Sequence, residues 1–344
     1  QTCALPISVV HFNLNFKRYD TTNLFYIYFI MITKYSSIGI FCKPNLPSST
    51  LLYTVDTILS TIFSIRSTCS VFIETETAQC VSMDSKKDLY KNIHVGTFDE
   101  IKNSVDLAIA IGGDGTLLGL ARQFAQYKAH IIGINQGRLG FTTDLDETDI
   151  KNELGALLLH GGNVEERDMI SVKAMRQSVD KQDKVFFSGL ALNDAVVNRA
   201  AISNMVELDV WVENSFLHSM RGDGLVICTP TGSTAYALSV NGPILHPKLS
   251  CFGLVPIASQ ALSSRPISIP PDMEITIVIK NGSGTVLHCD MQTVTELQDG
   301  DKIVVKKSIH KAKMLHPKTY DYFSLLRKKL RWNINPQRIN NNHS

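Results

Sequence analysis

The segment that most constrains this chain is residues 107–116, LAIAIGGDGT. Its uninterrupted apolar run fits a strand buried on both faces. The glycines and the helical spacing over 117–126 then turn the chain back across a sheet. Such a strand must be covered by helices on both sides, so it specifies a parallel sheet in an α/β layer. The flanking sequence agrees. Residues 38–41, 70–74 and 131–134 read as further strands, and 50–65 carry Leu, Val and Ile at helical spacing. The expected first domain is a Rossmann-like α/β layer over 31–146.

The texture changes after a last helix at 147–160. The runs 169–175, 185–197, 206–212, 224–228, 274–279, 285–289 and 302–305 alternate or are β-branched. Turn residues at 180–183, 281–284 and 299–301 separate them. This predicts a β-rich, sandwich-like second domain over 147–310. A C-terminal helix is expected within 311–335. Its amphipathic basic core, YFSLLRKKLRW, would pack back on the body with its charges as a solvated face, followed by a frayed tail at 336–344.

Composition excludes several classes. With 34 basic and 32 acidic residues the net charge is +2, so nothing points to nucleic acid as a partner. The seven cysteines are scattered singly without a Cys-x-x-Cys pair, which fits a reducing, cytoplasmic setting better than a disulfide framework or a zinc site. The apolar run at 22–33 falls short of the roughly 20 residues a membrane helix needs, and no small-residue cleavage site follows it. No membrane association is expected. Residues 1–30 are expected to be a non-native or disordered head, with translation starting at Met31.

Four segments carry chemistry. In the Gly112–Thr116 turn, glycines bring backbone N–H groups close to a ligand, and the opening helix favours phosphate. A carboxylate there would repel bare phosphate. Asp114 makes chemical sense facing a hydroxyl about to be phosphorylated, or a shielding metal; the plainer alternative is an N-cap. The stretch 221–239, RGDGLVICTPTGSTAYALS, runs a strand into a bend that can offer four hydroxyls (Thr229, Thr231, Ser233, Thr234), with Tyr236 able to stack on a base. Adjacent Asn193 and Asp194 interrupt an otherwise apolar run and could hold a base edge or ribose hydroxyls; an Asx turn is the alternative. Residues 135–144, NQGRLGFTTD, again follow a strand with glycines. The common phosphate loop, the protein-kinase set and the zinc-protease motif are all missing. The histidines form no ligand cluster, and no metal ligand is identified.

Together these segments resemble the NAD kinase family, with the order and spacing of its bacterial members, from about residue 36 to 332. The Gly-Gly-Asp-Gly turn alone is shared with diacylglycerol-type lipid kinases, the alternative enzyme reading, and with phosphofructokinases. Residues 223–239 are far more specific. The resemblance implies that Asp114 accepts the proton of the adenosine-ribose 2′-hydroxyl of NAD⁺, with Gly115 beside it at the nucleotide. It places Asn193 and Asp194 on the dinucleotide, Arg221 and Asp223 as further contacts, and Gln292 as a late contact from the β-rich half. Thr234, Ala235, Tyr236, Ala237, Leu238 and Ser239 match the loop that wraps the cofactor. Asn204 falls where relatives place a different residue. The stretch 255–266 departs from the family by carrying Ser259-Gln260. The implied reaction transfers the γ-phosphoryl of ATP to NAD⁺ with a divalent ion, Mg²⁺, bridging the phosphates. A homodimer or homotetramer is the expectation by analogy. A non-catalytic dinucleotide sensor on the same fold is a third reading.

Overall fold

The computed structural model describes residues 34–43, 48–81, 92–137, 140–178, 180–200, 204–281 and 284–332. The expected head at 1–30, the tail at 336–344, and Arg138 and Leu139 of the 135–144 motif lie outside the described residues.

The first half alternates as the apolar runs predict. It comprises β1 (Ser37–Cys42), α1 (Ser48–Ile65), β2 (Ser70–Glu74), α2 (Thr75–Cys80), β3 (Ile93–Gly96), α3 (Phe98–Ile101), β4 (Leu107–Gly112), α4 (Asp114–Phe124), β5 (His130–Asn135), β6 (Leu145–Asp146) and α5 (Ile150–His160). Strands β1 to β6 pair in parallel, with Ile40 opposite Ile109 and Ile109 opposite Ile132. Successive side chains of β4 go to opposite faces. Leu107, Ile109 and Ile111 join one core with α1 and α5, while Ala108 and Ala110 join another with α4. Two apolar faces are why LAIAI has no polar alternation. Helix α1 buries Leu51, Val55, Ile58, Leu59 and Ile62, one stripe at the helical period. Helix α5, which a division at 146/147 leaves with the second half, packs on α1 in the first core.

The second half contains β7 (Asn163–Gln177), β8 (Asp183–Ala191), β9 (Asp194–Arg199), β10 (Val206–Val212), β11 (Ser215–Gly222), β12 (Gly224–Cys228), α6 (Tyr236–Ser239), β13 (Phe252–Ile257), β14 (Ile267–Ile269), β15 (Ile275–Asn281), β16 (Thr285–Cys289), β17 (Thr293–Leu297), β18 (Lys302–His316) and α7 (Tyr322–Leu330). One sheet has the order β14-β13-β12-β9-β16-β17. It packs on the antiparallel part of the larger sheet through Val197, Leu225, Phe252 and Leu287 against Val172, Leu208, Ile277 and Ile303. This is the sandwich that the alternating runs imply.

The long strand β18 departs from expectation. It crosses residue 311, where helix was expected to begin, and the helix proper occupies Tyr322–Leu330. Its first part pairs with β7 and β15, and Met314 then pairs in parallel with Ile131 of β5. One strand thereby joins the two halves into a single continuous sheet. A register shift between Lys307 and Lys311 breaks the alternation that would have revealed its length.

Candidate functional site

Asp114 sits where a wholly buried strand meets a helix. The N-cap of α4 is Gly113, with extended backbone, so the simple N-cap reading of Asp114 does not hold. Its carboxylate instead grips the facing loop. Oδ2 accepts from Phe141 N at 2.8 Å, and Oδ1 accepts from Thr142 N at 3.1 Å, Thr142 Oγ1 at 2.7 Å and Thr143 N at 3.2 Å. The positive end of α4 further favours the anion. Approach this close requires Gly140, where a Cβ would lie 1.7 Å from Asp114 Oδ1. The weak 135–144 motif thus gains a role, because its last residues hold the carboxylate in place. Lys329 of α7 also lies within electrostatic reach. Burial lowers its ammonium, and Asp114 and Asp146 oppose that shift.

Beside the turn lies a cavity of about 500 Å³, lined by Cys42, Lys43, Glu74, Glu76, Gly113, Gly115, Thr116 and Gln292 among others. Glycine N–H groups, a helix N-terminus and Lys43 suit phosphate oxygens. Burial raises the Glu74 carboxyl, and neighbouring Glu76 raises it further.

Asn193 and Asp194 fall at the break between β8 and β9. Three consecutive backbone N–H groups, those of Leu192, Asn193 and Asp194, donate to the Asp290 carboxylate at 3.0, 2.7 and 3.2 Å. This anchor leaves Asn193 Oδ1 and Asp194 Oδ1 buried without a hydrogen-bond partner. Buried acceptors normally have donors, so both atoms are suited to groups that a ligand brings. Burial, and then the Asp290 charge, push the Asp194 carboxyl up to about 7. A carboxyl raised above its ordinary 3.8 favours the folded state in its protonated form, so stability falls as pH rises from about 4 towards 7. A ligand donor is accepted more strongly by the ionised form. Dinucleotide binding should therefore strengthen up to about tenfold from pH 6 to pH 8, with proton release on binding below pH 7. Calorimetry in buffers of different ionisation heat measures both quantities. A flat Kd with no proton release would show that Asp194 does not meet the ligand as a carboxylate.

The Thr229–Thr234 bend corrects one expectation. Of its four hydroxyls, those of Thr229 and Ser233 are fully buried and engaged internally rather than offered to a ligand. Thr229 Oγ1 donates to Leu192 O at 2.5 Å, Ser233 Oγ donates to Pro230 O at 2.7 Å, and Thr234 Oγ1 donates to Thr231 O at 3.3 Å. Thr231 Oγ1 accepts from the buried Arg167 at 3.2 Å. These bonds fix the bend against Asn193, whose carbonyl accepts from Thr229 N at 2.9 Å. Beyond it, Ala237 is fully buried in an apolar cluster with Val196, Val226 and Val255, and half-buried Tyr236 packs on that cluster. Thr234, Ala235 and Leu238 are half-buried, and Ser239 is exposed.

The remaining residues divide into two places. Gln292 joins the Asp114 region, its Nε2 donating to Gly115 O at 2.6 Å. Arg221, Asp223 and Asn204 do not. The β9–β12 ladder pairs Cys228 with Asp194 at one end and Gly224 with Asn198 at the other. Asp223 is therefore roughly 15 Å from Asp194 along the strands. It pairs with Arg199 at 2.7 Å, while Arg221 and Asn204 are exposed near that same end. Sequence reasoning missed Arg122, Asp290, Lys43, Glu74 and Arg199. Only Asp290 had a signal, as a neighbour of Gln292 in the HCDMQ stretch.

A glycine turn opening a helix beside a phosphate-suited cavity, facing a β sandwich with unpaired acceptors, defines a two-part nucleotide-binding protein. Residues 38–162 match the ATP-NAD kinase N-terminal domain model and 192–317 the ATP-NAD kinase C-terminal domain model. The NAD kinase of Ralstonia nicotianae is 47% identical over 242 residues, covering 70% of this chain and 78% of its own. That of Cupriavidus pinatubonensis is 48% identical over 244 residues, covering 71% and 78%. The chain belongs to the ATP-NAD kinase family. A crystal structure of yeast NADH kinase complexed with NADH has a TM-score of 0.78 at 24% identity, covering 87% of this chain and 88% of its own. An NAD kinase from Archaeoglobus fulgidus in complex with ATP has a TM-score of 0.63 at 23% identity, covering 86% and 98%. Both share the fold. Because both halves match one family, the diacylglycerol-type alternative, built on the shared turn alone, has no support. Among the described residues no helix is long and apolar enough to cross a membrane.

Proposed function

We propose that this chain transfers the γ-phosphoryl of ATP to the 2′-hydroxyl of the adenosine ribose of NAD⁺, giving NADP⁺ and ADP. The observation that carries this reading is Asp114. It lies between a cavity suited to phosphates and the loop at 140–143, and Gln292 ties its turn to the half holding Asn193 and Asp194. Thr142 Oγ1 already makes to Oδ1, at 2.7 Å, the kind of O–H···O bond that a ribose hydroxyl would make. We read Asp114 as orienting that hydroxyl and taking its proton late. Phosphoryl transfer depends mainly on positioning and charge neutralisation, so holding the hydroxyl in place is the larger part of that role.

The residues also fit an ATP-borne divalent cation, Mg²⁺. No group of three or more His, Cys, Asp or Glu side chains among the described residues could hold an ion alone. Mg²⁺ commonly binds through one or two carboxylates plus substrate phosphates. Glu74 and Glu76, two carboxylates beside the glycine cradle, would hold it, and their mutual repulsion would be relieved. When bound, the cation neutralises developing phosphate charge.

The far placement of Arg221, Asp223 and Asn204 favours a homo-oligomer, dimer or tetramer, in which a second copy presents these residues to the dinucleotide. The chain is read as cytoplasmic, with no membrane or nucleic-acid partner. Incubation with ATP, Mg²⁺ and NAD⁺ should yield NADP⁺, detected by an NADP⁺-specific dehydrogenase. NAD⁺ binding without product would favour the sensor reading and sink the kinase.

A further inference from the structure

The Asp290 carboxylate is completely buried, and it is the only described acceptor joining Leu192, Asn193 and Asp194 through their N–H groups. Its other partner comes from across the molecule: Arg122 Nη1 donates to Asp290 Oδ2 at 2.7 Å. Arg122 lies on α4, roughly 12 Å along the helix from Asp114. Its Nη2 donates to Gln292 Oε1, and Gln292 Nε2 donates to Gly115 O at 2.6 Å. Thus the helix that opens with Asp114 is fastened at two points to the β16–β17 turn, whose Asp290 holds the strand break at Asn193 and Asp194. Register explains the meeting, since Cys289 lies opposite Ala195 and Asp290 therefore stands opposite Asp194.

We propose that Arg122 and Asp290 form a positioning pair, which sets the Asn193 and Asp194 acceptors at a fixed distance from the Asp114 carboxylate. The inference rests on the NAD⁺ reading of the site. Asp290 shapes the strand break by gathering consecutive N–H groups, so the two side chains emerge with Oδ1 atoms free for ligand donors. Arg122 supplies the charge that allows a second carboxylate to lie buried beside Asp194. Removing the guanidinium leaves two neighbouring buried carboxyls without that cation, which is the strongly unfavourable way to break a buried pair. The strand break would then relax and the two halves of the site would lose their spacing. The donor cavity is lined by β1, the end of β2, α2, the glycine turn, part of α4 and Gln292; Arg122 and Asp290 are not among its lining residues, and Arg122 reaches it through Gln292.

The pair predicts a selective kinetic defect. Arg122→Met should raise KM for NAD⁺ or lower kcat by about 10- to 100-fold, the scale of a small misplacement in an active site. KM for ATP should change several-fold less than KM for NAD⁺, because the pair reaches that cavity only through Gln292. Asp290→Asn should show the same selectivity, and the double variant should be no worse than the poorer single, because both remove one fastening. Arg122→Lys keeps the charge but loses the two-pronged geometry. It should fall between wild type and Arg122→Met, and it provides the test if Arg122→Met does not fold. Equal changes in both KM values, additive effects in the double variant, or wild-type kinetics in folded Arg122→Lys and Arg122→Met would overturn the positioning role. Absence of NADP⁺ formation by the wild-type protein would overturn the NAD⁺ reading, and the inference with it. Normal wild-type turnover with unaffected variants overturns the inference alone.

Discussion

Asp114→Asn should lower kcat by roughly 10²- to 10⁴-fold, the usual worth of a positioned acid–base group, while dinucleotide binding persists. The structure adds a second consequence. Asp114 presents two acceptor oxygens to Phe141 N, Thr142 N, Thr142 Oγ1 and Thr143 N. An amide presents one acceptor oxygen and one NH₂ group, so a backbone donor would face a donor. The loop at 140–143 should therefore loosen, and amide hydrogen exchange at Phe141 and Thr142 should accelerate. Steady-state kinetics, NAD⁺ titration and hydrogen exchange together separate the two effects. Near-wild-type turnover in this variant would remove Asp114 from the chemistry. Lost turnover with unchanged exchange would mean that the loop is held by other contacts.

Gly232→Ala should be nearly as damaging, and for a purely steric reason. A Cβ at residue 232 would lie 2.0 Å from Asn193 O and 2.4 Å from its carbonyl carbon. Backbone atoms cannot rotate aside, so either the bend or the Asn193–Asp194 break must move. Overpacking of this kind costs about 1–3 kcal/mol. Displacing Asn193 by about 1 Å should weaken NAD⁺ binding or turnover by about 10²-fold. Thermal denaturation gives the first quantity, and calorimetry with kinetics gives the second. Undiminished NAD⁺ affinity in a folded Gly232→Ala protein would separate the Thr229–Thr234 bend from the dinucleotide site.

Much of this arrangement was legible in the linear order. The doubly buried β4 announces itself because both of its faces are apolar, and the glycines after it mark a tight turn. The β-rich half shows through alternation, as in the buried residues of β10 and β15. The long β18 was not legible, because its bulge interrupts that same alternation. Nor was the use of the threonine and serine hydroxyls. A hydroxyl reads alike in sequence whether it faces a ligand or a neighbouring carbonyl, and only packing reveals that Thr229 and Ser233 are enclosed.

What the sequence by itself determined is the set of local devices: a buried strand, a glycine turn with one acid, an Asn-Asp break and a glycine- and threonine-rich bend. Each is encoded within a dozen or so neighbouring residues, where periodicity and backbone preference act. Tertiary structure alone decided their grouping. It brought Arg122 to Asp290 and Gln292 to Gly115, and it left Arg221 and Asp223 at the far end of a ladder. The reason is physical. A buried charge must find its partner wherever the fold delivers one, and strand register, set by both cores together, decides which distant residues meet.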